Sequence, residues 1–298
     1  MWKYFLYSIL VSITMFASDP ESTEPQGLTS TPQAPSVEPD NRDAIFYPSD
    51  TEKPGPLLKK LGRNILLDQK DIWTSPFHMN RDNAGLWLGF AGITAGLIAS
   101  DHWTSTQLEN STGQVRWANN VSNIGSIYTV IPVAAGFYAY GAVKNDSKAR
   151  ETGVLGTEAM LDSLVVSEAL KFAAGRTRPD ATGEKGSFFD GGASFPSGHA
   201  ITSWALASVI AHEYSHHKIA PIVAYGLASV VSAARFTAQK HYASDIVAGG
   251  AMGWFIGRYV YKTHEDHAKH QRTWLKPDIL PQFDPVRRDF GVTLMLHP

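Results

Sequence analysis

Three short stretches of this 298-residue chain collect cations, imidazoles, a hydroxyl and a carboxylate. Lys171 and Arg178-Pro179 make the first, Pro196-Ser197-Gly198-His199 the second, and Arg235, His241 and Asp245 the third. Lysine offers a point charge, and arginine a planar fork that matches two oxygens of a phosphate. Ser197 stands where a helix N-cap is expected, and Gly198 lets backbone amides approach an anion closely. His199 then lies beside that anion. His241 and Asp245 are at i and i+4, so on a helix, or on a turn entering one, the carboxylate can reach an imidazole nitrogen. That bond would fix the tautomer and leave the other nitrogen free to attack. Arg235 adds a third cation. Singly, each motif reads as a cap, a turn or a surface pair. Together they supply what is needed to hold a phosphate and attack its phosphorus. Arg176, between the first two cations, reads as a solvated surface charge, with assistance to the site as the alternative.

The elements that position these groups are six apolar segments, at 84–100, 127–143, 158–174, 199–214, 219–234 and 245–261. Each is long enough for a helix and too long for a typical strand, so the fold expected is all-α, a bundle of about six core helices. The first motif ends the third segment, the second begins the fourth, and the third joins the fifth to the sixth. If successive helices run antiparallel, all three motifs fall at one end. Glycines recur at four-residue spacing, Gly249, Gly253 and Gly257 in one row, and Gly85 with Gly89 and Gly92 with Gly96 in others. Interior glycine weakens a helix by about 1 kcal/mol against alanine, and close helix–helix approach is the expected return. The glycine-rich stretch 180–195 borders the motifs, and Phe188, Phe189 and Phe195 in it either shape an entrance or anchor the loop.

A net charge of −2 argues against a broad nucleic-acid footprint, and the absence of cysteine excludes disulfides and thiolate–zinc sites. Residues 1–17 read as an export signal, with Lys3 ahead of an uncharged apolar run. Residues 18–57, rich in Pro, Ser and Thr, read as a disordered linker. A lead-in of short helices and turns is expected at 58–83, the helical domain at 84–262, and a tail at 263–298 in which 290–296 forms a strand or an extended segment. The location expected is exported, in a periplasm or cell envelope. The alternative is an integral membrane protein with an extracytoplasmic site, although the charge-free runs fall slightly short of the roughly 20 residues of a comfortable span.

The three motifs, in this order and at these separations, resemble the signature of the type-2 phosphatidic acid phosphatase superfamily, which includes bacterial class A acid phosphatases and vanadium haloperoxidases. Every charged and imidazole position of the pattern Lys-x6-Arg-Pro, Pro-Ser-Gly-His and Arg-x5-His-x3-Asp is matched. Ala234 stands where the family often has serine. The resemblance covers residues 84–261. It implies metal-independent hydrolysis of phosphate esters, lipid mono- or diphosphates among them, through a phosphohistidine. In that scheme His241 attacks phosphorus, Asp245 orients it, and His199 protonates the leaving oxygen and then activates water. Lys171, Arg178, Ser197, Gly198 and Arg235 hold the phosphoryl oxygens. No metal or cofactor is implied, and the partner is a phosphate-ester or lipid-phosphate substrate, with membrane association and no nucleic acid. Two alternatives share the residues: a vanadate-dependent haloperoxidase with His241 as the vanadate ligand, and a non-catalytic phosphate-binding envelope protein.

Overall fold

The computed structural model of the chain describes residues 54–77, 81–108, 111–181, 185–273, 276–284 and 289–297. The expected signal at 1–17, and all of the expected linker but residues 54–57, lie outside the described residues. Eight helices follow in order: α1 (Pro54–Thr74), α2 (Arg81–Thr106), α3 (Thr112–Ser122), α4 (Ile127–Lys144), α5 (Ser147–Ala174), α6 (Gly198–Glu213), α7 (Ile219–Thr237) and α8 (Ala243–Thr273). A hairpin of two antiparallel strands, β1 (Lys276–Asp284) and β2 (Asp289–His297), pairs Lys276 with His297 and Asp284 with Asp289. All six apolar segments are helices. The lead-in holds a 21-residue helix, α1, which starts at Pro54, followed by a short 3-10 helix at Ser75–Phe77. The tail begins later than expected, because α8 continues to Thr273.

The inner layer is α5, α6 and α8. Leu155, Ala159 and Val166 of α5 pack with Ile201, Ala205 and Val209 of α6 and with Ile256 and Val260 of α8 in one buried cluster. The glycine row of α8 makes this possible. A Cβ at Gly253 or Gly257 would collide with the carbonyl oxygens of Ile201 or Ala205, and one at Gly249 would lie 2.9 Å from the Ser197 oxygen. One helix therefore rests on the other's backbone. The glycines of α2 differ: Cβ atoms at Gly85, Gly89, Gly92 and Gly96 would meet nothing within 4 Å, so these rows support no packing here. Around the trio, Val130 and Ala134 of α4 pack on Met160 and Leu206, and Ala224 and Ala228 of α7 pack on Ala207.

Two of the charges interrupting α5, Glu158 and Asp162, point inward and are paired. Glu158 accepts from Asn64 Nδ2 of α1 at 3.2 Å and faces His264 Nε2 of α8 at 2.9 Å, and Asp162 accepts from Gln69 Nε2 at 2.9 Å. They anchor α1 to the bundle. Three stretches, Ala84–Thr106, Thr112–Lys144 and Ile219–Thr237, are long and apolar enough to cross a membrane.

Candidate active site

Local chain chemistry sets each group. Helix α5 stops because Gly175 adopts the left-handed conformation (φ 52°, ψ 30°) and returns its N–H to the Lys171 carbonyl at 2.9 Å. The chain then folds back over the bundle end, carrying Arg176 and Arg178 with it. Ser197 takes the N-cap position of α6 (φ −70°, ψ 114°), yet its hydroxyl makes no capping bond. Its N–H donates to the Asp245 carbonyl at 3.0 Å, which ties the second motif to the third. A Cβ at Gly198 would lie 3.0 Å from Lys171 Nζ, so the first motif meets the second there. Lys171 also pairs with Glu168 at 2.6 Å. Arg235, buried near the end of α7, donates through Nη1 to Ser122 Oγ of α3 at 3.3 Å. All eight site residues expected from the sequence gather at one end of the bundle.

His241 sits in the turn before α8, buried, with Nδ1 2.8 Å from the Ser194 carbonyl. A carbonyl only accepts, so Nδ1 carries the proton and Nε2 carries the lone pair. Asp245 does not make the expected bond to this ring. Its Oδ2 is 3.8 Å from Nδ1, an electrostatic contact beyond hydrogen-bond reach. Its oxygens instead accept from Ser194 Oγ at 2.6 Å, from the Tyr242 N–H at 2.8 Å and from Arg176 Nη1 at 2.7 Å. Asp245 therefore steadies the ring through the residue whose carbonyl holds it. A side chain three residues into α8 that bonds the residue ahead of the helix also caps that helix. Burial alone would raise the Asp245 carboxyl, but His241, Arg176, Ser194 and the Tyr242 N–H outweigh it and hold it below the ordinary carboxylate value. Burial keeps His241 below the usual imidazole value against the pull of Asp245. His199 is lowered to about 4, first by burial and then by the fields of Arg235, His241, Lys171 and Arg178.

Arg176 is the correction of most consequence. Far from being a surface charge, it is 2% exposed and bridges two carboxylates, Asp245 at 2.7 Å and Asp101 of α2 at 2.8 Å. It also donates to Ser244 Oγ at 2.7 Å, and its guanidinium lies over the rings of Phe188 and Tyr242, 4.7 and 4.3 Å from their centroids. Asp101 in turn accepts from the Ser244 N–H at 3.1 Å and from the Ser244 hydroxyl. Nothing local marks Arg176 or Asp101 in the sequence; their partners are 69 and 143 residues away. Two polar atoms at the site, Ser197 Oγ and Arg235 Nε, are buried without a hydrogen-bond partner among the described residues. A buried donor is seldom left so unless a ligand completes it.

Three cations and two imidazoles thus converge at one end of the helical bundle, with the fields of Arg235, His241, Lys171 and Arg178 all reaching His199. Residues 154–269 match the model of the PAP2 superfamily. The chain is 30% identical over 146 residues to a lipid A 1-phosphatase of Porphyromonas gingivalis, covering 47% of this chain and 30% of that one. It is 36% identical over 99 residues to a lipid A 1-phosphatase of Rhizobium etli, covering 30% of this chain and 41% of the relative. The chain thus spans less than half the length of these curated relatives. Among solved structures it is similar to a transmembrane PAP2-type phosphatidylglycerolphosphate phosphatase from Bacillus subtilis, at TM-score 0.44 and 18% identity over 69% of this chain and 94% of that one. It is also similar to LpxE of Aquifex aeolicus, at TM-score 0.41 and 18% identity over 51% of this chain and 88% of that one.

Proposed function

We propose that the protein is a phosphatase that hydrolyses lipid phosphates through a phosphohistidine. The observation that carries this reading is the His241 Nδ1–Ser194 carbonyl bond, which leaves Nε2 as the nucleophilic nitrogen beside a cationic pocket. Lys171, Arg178, Arg235, Ser197 Oγ and the Gly198 amide hold the three non-bridging oxygens. Ser197 Oγ and Arg235 Nε, unpartnered among the described residues, are then completed by substrate. Nε2 attacks phosphorus, the bond to the leaving oxygen breaks, and His199 gives that oxygen a proton. His199 then takes a proton from water, whose oxygen displaces His241 and releases inorganic phosphate. Catalysis of this kind rests on positioning and on neutralising the equatorial oxygens. The named relatives favour neither the haloperoxidase nor the binding-only alternative. We also read the protein as membrane-integral through its three apolar stretches, with the site at the leaflet that presents the phosphate.

Full-length protein in detergent micelles, incubated with phosphatidate, a lipid A phosphate and a lipid diphosphate, is expected to release phosphate in the presence of EDTA, with inhibition by vanadate. His241→Ala should remove turnover. Retained turnover in that variant would end the nucleophile assignment.

A further inference from the structure

The loop that borders the site does not use its three phenylalanines alike. Phe188 turns inward onto Arg176, and Phe195 meets Phe188 edge to face with centroids 6.1 Å apart. Phe189 turns outward and is 86% exposed. Its backbone is in the left-handed region (φ 62°), where a bulky side chain is strained. The strain is held by three backbone bonds: Phe189 N–H to the Ala174 carbonyl at 2.8 Å, and Asp190 and Gly192 N–H to the Gly175 carbonyl at 3.0 and 2.9 Å. Those bonds rivet Phe189 to the last turn of α5. Phe172 on that turn is 93% exposed and directly follows Lys171. Two rings therefore stand in the open at the end of α5, the helix end that carries Lys171, and one is fixed there at the expense of a relaxed backbone. Single exposed apolar side chains are ordinary. A strained one, paired with a second at the rim of an anion site, is not explained by packing.

We propose that Phe172 and Phe189 form an apolar prong that enters the lipid leaflet carrying the substrate and holds the pocket at headgroup depth. This rests on the lipid-phosphatase reading. The chemistry is complementary on both sides of the rim: rings for acyl chains, and Lys171 and Arg178 for the anionic phosphate at the boundary. Aromatic rings are favoured at that depth. The run of contacts from Phe189 to Phe188, tilted rings with centroids 6.4 Å apart, and on to Arg176 gives the prong its base.

The full chain in lipid nanodiscs provides the test. Phe189→Gly, which the left-handed backbone accepts, combined with Phe172→Ala should lower turnover of dioleoyl phosphatidate in the bilayer by about tenfold or more, the scale of removing a ring from an apolar phase. Turnover of para-nitrophenyl phosphate should stay within about twofold of the parent, because no group that touches phosphorus has changed. Equal losses on both substrates, or none on either, would overturn the proposal. A nitroxide at Phe189→Cys, the sole thiol in the chain, should collide with oxygen in preference to an aqueous nickel chelate. Free access to the chelate, or broadening by a second chain, would overturn it too. If the parent hydrolyses neither ester, the phosphatase reading fails, while the nitroxide still decides where the prong lies.

Discussion

Arg176 shows how much of the site depends on a residue that is not among the eight expected from the sequence. It faces two carboxylates, each buried, and nothing else in the described chain could neutralise both at that distance. Arg176→Leu should destabilise the protein by about 3–5 kcal/mol, the usual result of stranding a buried charge, read as a fall in melting temperature in detergent. Arg176→Lys, a point charge without a fork, should fold and yet lose turnover, because it cannot bond Asp101 and Asp245 together. Turnover equal to the parent's would remove the positioning role. His199 makes a second residue-level prediction. Cations and burial hold it at about 4 in the free protein. A bound phosphate or vanadate anion offsets those cations, so binding near neutral pH should take up protons. Calorimetry in buffers of different ionisation enthalpy would measure it, and zero uptake would contradict His199 as the proton donor. The sign for stability follows from the same shift. Between about 4 and the unfolded value of 6.5 the unfolded chain binds the extra proton, so this group's contribution is complete above 6.5 and is lost as pH falls to about 4.

Among the elements, the α6–α8 contact is the most sensitive. Gly253→Ala places a methyl group against the Ile201 carbonyl and should destabilise by about 1–3 kcal/mol, the usual effect of overpacking. Gly89→Ala, with open space around it, should leave melting unchanged or raised. Equal effects of the two substitutions would contradict the packing described. The same comparison shows what sequence could and could not tell. The six apolar helices were legible from length and hydropathy, and the three motifs met because antiparallel neighbours put them at one end. Helix α3 was not legible: Thr112–Ser122 is short and polar, and Ser111 capping Gln114 N–H at 3.3 Å is its only local signal. Neither was the hydrogen bond to His241. The i, i+4 pattern pointed to Asp245, whereas the acceptor is a backbone carbonyl, which has no side-chain identity to read. The glycine rows of α2 and α8 look alike in sequence and differ only in what lies opposite.

At the scale of the whole molecule, the site end and the opposite end of the bundle must face different sides of a membrane if the three apolar stretches span it. The cysteine-free chain makes this measurable. In intact cells a membrane-impermeant maleimide should label Lys185→Cys, in the loop beside the site. It should reach Lys218→Cys, in the exposed turn beyond α6, only after permeabilisation. Labelling of both in intact cells would indicate a bundle that does not cross. The family match begins at residue 154, after α4, whereas Asp101 and Ser122 lie before it. An excised piece bounded by that match would keep every motif side chain. It would still leave Arg176 with one of its two anions and Arg235 without its hydroxyl neighbour. Such a minimal fragment would carry all three motifs and lack the braces that hold its charged centre in place.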